Sequence, residues 1–85
     1  MSVFTAYKEM TLTPVAGLTW VQIPLGSLLT LFGTVLKVCR EGKTYDIVYT
    51  TPGERQVMYN TISRRLIFRD EFNADETVYV LIKLL

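Results

Sequence analysis

Side chains able to do chemistry are few in this sequence. The 85 residues include no histidine and one cysteine, Cys39, so the usual general base and the usual zinc ligands are missing. Cys39 lies between Lys37 and Arg40, which could lower its pKa, but without a histidine to act as base the structural reading of the thiol outweighs the nucleophilic one. Asp70, Asn73, Asp75 and Glu76 offer oxygen ligands, yet their spacing departs from a calcium loop and lacks its central glycine. The remaining carboxylates fall in turns and loops without an inward-facing pair. The sequence therefore reads as non-enzymatic, with no cofactor, no metal and no small-molecule substrate.

Two binding chemistries remain. Tyr45, Tyr49 and Tyr59 fall on neighbouring strands and could cage a methylated cation, although Tyr45 and Tyr49 share a face with Ile47, which should point inward, so the core reading is preferred. Lys37, Arg40, Lys43, Arg64 and Arg65, with Arg69 beyond them, lie near turns and could meet phosphates, which makes a nucleic-acid-binding module the alternative function. Against it stand the acidic run that follows at once and the lack of aromatics interleaved with the basic residues.

Charge is segregated along the chain. The first 36 residues carry only Lys8 and Glu9; residues 37–69 hold seven basic and three acidic side chains, a net of +4; residues 70–76 add Asp70, Glu71, Asp75 and Glu76. The total is +1, which argues against a general polyanion binder. Opposite patches on one chain suit a self-assembling subunit, either within the molecule or head-to-tail between copies. A hydrophobic fraction of 49% and a mean hydropathy of +0.26 are high for a chain too short to bury much of its own surface. One cysteine excludes an internal disulfide, so tight packing or association must supply the stability.

The elements that would position these residues are short strands. Residues 2–13 alternate weakly and end at Pro14, so residues 1–17 read as an extended N-terminal arm ahead of a single domain over 18–85. Residues 18–25 form a strand that Pro24 confines to an edge or terminates. Residues 28–39 fit a strand bulged or bent at Gly33 better than a helix, because Thr30, Thr34, Val35 and Val38 are β-branched. Arg40-Glu41-Gly42-Lys43 turns into the alternating strand Thr44–Thr50, and Thr51-Pro52-Gly53-Glu54 should reverse the chain again into Arg55–Tyr59. A single 3₁₀ turn over residues 60–63 precedes a short strand at Leu66–Phe68, and residues 70–76 form a solvated loop around Phe72. The closing strand from Thr77 is apolar on both faces and should be buried on both.

No residue run is long and apolar enough for a membrane span, and no basic segment followed by a continuous apolar run marks a signal peptide, so the expected origin is cytoplasmic. The pattern GTVLKV, turn, TYDIVY, turn, RQVMY, then ISRRLIF resembles the SH3-like barrels, including Tudor and KOW modules, over about half of the chain. That resemblance implies an all-β fold, a small antiparallel barrel of roughly five or six strands with the arm and the 3₁₀ turn attached. Similar barrels bind methylated side chains or RNA, or serve as subunits of viral particles. The expected function is a structural or assembly protein, such as a capsid or tail subunit or decoration of a virion, that forms a homo-oligomer or docks on other structural proteins. Phe4, Tyr7, Met10 and Leu12 would anchor the arm and Trp20 would make a contact at the barrel mouth. Arg64, Arg65 and Arg69 would meet Asp70, Glu71, Asp75 and Glu76 of a neighbour.

Overall fold

The computed structural model describes residues 7–24 and 32–84, which form seven strands and no helix. The strands are β1 (Tyr7–Leu12), β2 (Trp20–Gln22), β3 (Phe32–Arg40), β4 (Lys43–Val48), β5 (Gln56–Asn60), β6 (Arg65–Phe68) and β7 (Val78–Leu84). They make one sheet in the order β1-β7-β3-β4-β5-β6-β2, strongly curled into a half-barrel. The SH3-like expectation is met only in this coarse, all-β, barrel-like form.

Three local expectations hold for identifiable reasons. Glu41 (φ 52°) and Gly42 (φ 74°) are both left-handed, the requirement of a two-residue hairpin that returns Arg40 opposite Lys43. The β3–β7 register skips a residue at Gly33 and a second at Leu36, so β3 is bulged where its alternation changes. β2 is the short strand at one end of the sheet, as Pro24 requires.

Other expectations are corrected. The strand count rises to seven because residues 7–12, expected as part of the extended N-terminal arm, pair with β7 from Tyr7↔Lys83 to Leu12↔Val78 and carry Leu12 into the core. The sheet is not wholly antiparallel: β4 and β5 run parallel, with Asp46↔Gln56, Ile47↔Val57 and Val48↔Met58. Residues 49–55 retrace only the stretch from Val48 back to the level of Asp46, ~7 Å of strand at 3.3 Å per residue, so a short return loop suffices where most parallel pairs need a longer crossover. Gln56 clasps that loop, its Oε1 accepting from Gly53 N at 2.8 Å. The turn after β5 is not 3₁₀: Arg64 N donates to Asn60 O at 2.7 Å, the wider α-turn span, while Asn60 Oδ1 accepts from the N–H groups of Ile62 and Ser63.

The concave face holds the core. β7 lies between β1 and β3, and its Val78, Val80 and Ile82 are at most 1% exposed, as are Val38, Val57 and Leu66. Its other face is half-buried at Tyr79 and Leu81 rather than covered. The paired registers give the half-barrel two unlike ends. Leu12, Arg40, Lys43 and Val78 share one end, from which residues 13–19 and 69–77 fold across; Tyr7, Lys83, Asn60 and Arg65 lie at the other.

Replacing Glu41 by asparagine, which tolerates the left-handed region and completes an Asn-Gly turn, should stabilise the fold by about 0.5 kcal/mol, or roughly 2–4 °C in Tm. Thermal unfolding followed by circular dichroism checks this; an unchanged or lower Tm would contradict the hairpin geometry.

Candidate functional site

Arg40 and Glu76 close the first end. Arg40 ends β3, and its guanidinium Nε donates to Glu76 Oε1 while Nη2 donates to Oε2 at 3.3 Å. Nη1 and Nη2 also donate to the backbone oxygens of Asp70 and Glu71, at 2.9 and 2.7 Å. The cation lies over Phe72 and Phe68, 4.5 and 5.0 Å from their ring centroids. Side-chain exposure is 6% for Arg40 and 2% for Glu76, so this pair is sealed from solvent. Burial alone would raise the Glu76 carboxyl, but the Arg40 hydrogen bond and the Asn73 N–H at 2.7 Å outweigh it and hold its pKa below the ordinary value.

These contacts correct several sequence expectations. Arg40 is a core residue whose guanidinium makes four hydrogen bonds within the chain, not a phosphate contact. Glu76 is committed to its own chain and is not offered to a neighbour; the rest of the segment 70–76 is exposed around buried Phe72 as expected, with Glu76 as a second anchor. Glu76 spends its carboxylate on Arg40 and Asn73 N, and among the described residues no group of three or more acidic side chains converges on a cation site.

The other expected residues separate between the two ends. Arg69 pairs with its neighbour Asp70 through two hydrogen bonds of 3.1 Å, which lowers the Asp70 pKa, and both are exposed beside Glu71 and Asp75. Arg64 and Arg65 stand at the opposite end. Arg65 stacks its guanidinium 4.0 Å over the Trp20 ring and reaches Gln22 Oε1, so Trp20 is half-buried beneath it. Lys43 shares the level of Arg40, and the ladder from there to Arg65 spans about seven residues, ~23 Å of strand. Lys37 is exposed in mid-strand. Lys37, Arg40, Lys43, Arg64 and Arg65 therefore do not form one basic patch.

Of the arm residues, Phe4 lies outside the described residues, Tyr7 is 57% exposed, and Met10 and Leu12 pack with the core. The tyrosines do not form a cage. Tyr45 packs edge-on against Phe68 at 5.3 Å, with the Arg55 guanidinium 5.6 Å from its ring centroid; Tyr59 is in the core, where burial raises its phenol pKa, and only its edge meets the shallow hollow that the 65% exposed Tyr49 also borders. Cys39 is half-buried with Sγ 3.7 Å from Thr44 Oγ1.

Two features were absent from the sequence reading. Tyr79 donates to Glu9 Oε1 at 2.9 Å across β7 and β1, a bond that raises the Tyr79 pKa; alternation placed Tyr79 on the outer face, but its partner needed the register. Ile62 is 89% exposed at the tip of the Asn60 turn, next to Tyr49 in a shallow hollow also lined by Met58 and Thr61. Three hydrogen bonds to Asn60 hold this turn, so the outward position of Ile62 is built into the backbone.

Because the Glu76 pKa is depressed in the folded state, its contribution is complete well above the unfolded value of ~4.3 and is lost as pH falls through the folded value. Glu76→Gln should cost about 3 kcal/mol at pH 7 by leaving Arg40 buried without its counter-charge, and should flatten the loss of stability below pH ~5. Urea unfolding of both proteins at neutral and acidic pH checks this; parallel acid profiles would contradict it. No protein family model, curated protein or solved structure matches this chain.

Proposed function

We propose that this protein is a non-enzymatic assembly subunit, a structural or decorating component of a larger particle that binds neighbours by strand addition along β1. The observation that carries the reading is the open sheet. Among the described residues β1 pairs only with β7, leaving the outer edge of Tyr7–Leu12 with unpaired backbone N–H and C=O groups. The opposite edge is a poorer template, since β2 has three residues and is followed by Pro24.

β1 also has the side chains of a selective edge. Lys8, on the same parity as core-facing Met10 and Leu12, is exposed and opposes indiscriminate pairing unless an incoming strand supplies a carboxylate or leaves it solvated. The residues expected as an extended arm thus act as part of the sheet, and the arm's expected docking role passes to their open edge. A viral or phage capsid or tail, suggested by the short apolar-rich chain, is the first setting in which to look for the partner.

Backbone groups of adjacent residues in an antiparallel strand point to opposite sides. Of Lys8→Pro and Glu9→Pro, one therefore removes an outward N–H and spares the β7 ladder, while the other breaks that ladder. The sparing variant, identified by its retained Tm, should associate about tenfold more weakly in sedimentation velocity. Association equal to the parent's would overturn the reading.

A further inference from the structure

The side-chain charges are sorted by end. Lys8, Arg64, Arg65 and Lys83 lie in the half of the barrel that carries Tyr7 and the Asn60 turn, and no acidic residue lies there. The other end carries Glu41, Glu54, Asp70, Glu71 and Asp75 against Lys43, Arg55 and Arg69. Arg40 and Glu76 cancel inside the core, and Glu9, Lys37 and Asp46 lie in mid-strand. Residues 1–6, 25–31 and 85 contain no charged side chain. One end is +4 and the other −2.

Along the strands the basic set lies four to seven residues, ~13–23 Å, from the level of Arg40 and Val78, beyond the ~8 Å screening length at physiological salt, so the two sets are largely screened from each other within one molecule. A second copy stacked end to end would neutralise them. Each end also offers an apolar contact. Ile62 and Tyr49 project at the basic end; Val15, 65% exposed, stands at the acidic end, in a turn tied to Phe72 by the bond from Gly17 N to Phe72 O at 2.9 Å, and borders a shallow groove that starts at Pro14 and Leu18 and runs along β2 past Trp20 to Gln22.

We infer that copies of this chain stack head-to-tail, the Arg64–Arg65 end of one seated on the Asp70–Glu71 end of the next with Ile62 against Val15 and its groove. Such a contact joins two different surfaces, so it propagates as an open stack or closes as a ring. It rests on the assembly reading but uses surfaces distinct from the β1 edge. Salt distinguishes them, since strand addition depends on backbone hydrogen bonds and the end contact on charge.

Two charge-swapped proteins test the inference. Arg64→Glu with Arg65→Glu brings the basic end from +4 to 0 and puts an acidic pair at the contact, and Asp70→Lys with Glu71→Lys turns the acidic end from −2 to +2. Sedimentation velocity at low salt should show the parent forming oligomers that weaken about tenfold or more at high salt. Each swapped protein alone should lose that salt-sensitive component, and an equimolar mixture should recover it because both kinds of contact are again complementary. Recovery also shows that the variants remain folded. A parent with no salt-sensitive association, swapped proteins that stack alone as the parent does, or well-folded swapped proteins whose mixture fails to recover would each overturn the inference. The β1 proline variant should keep the salt-sensitive component, so failure of one contact is distinguishable from failure of the other.

Discussion

The Arg40–Glu76 pair is the constraint on which the shape and polarity of this molecule depend. A buried charge pair repays its desolvation only when its remaining hydrogen-bond capacity is also satisfied, and here the oxygens of Asp70 and Glu71, the Asn73 N–H and two aromatic rings do so. The same contacts bind the end of β3 to the segment that leads into β7. That closes one end of the half-barrel. The acidic side chains of that segment are then held at the closed end, and Arg64 and Arg65 are carried to the other by the β5–β6 turn.

The open sheet follows from how much each terminal strand can cover. β7 is nearly fully buried on its inner face and is paired on both sides, and residues 7–12 provide one of its neighbours. No strand remains to cover β1 among the described residues. In a chain of this length a core can be completed without closing the barrel, but the free edge and the outward Ile62 are then left at the surface. Exposed apolar and hydrogen-bonding groups of this kind are what an assembly subunit uses, and they link the economy of a small core to the proposed function.

The sequence was most legible where backbone chemistry is local. Gly42 and Gly33 announced the hairpin and the bulge, Pro24 announced the edge, and the alternation of Val78, Val80 and Ile82 announced the buried face of β7. Features set by pairing between distant segments were not legible. Proline and glycine at residues 52 and 53 mark a turn but do not specify whether the next strand lies parallel or antiparallel. Arg40 and Glu76 are 36 residues apart, and only the alignment of Arg40 with Val78 brings them together, so each was read as a surface charge. The segregation of charge along the chain was visible, and the head-to-tail stacking inferred above alters its membership: Arg69 and Glu76, paired within the chain, are left out, while Lys8 and Lys83 join the basic end.

The central claim is that the protein completes its surface against neighbours. Sedimentation velocity of the unmodified protein across a wide concentration range, at low and high salt, tests it most directly. The expected result is an average mass that rises with concentration in both conditions and rises further at low salt; a monomer mass at every concentration and salt would contradict the account.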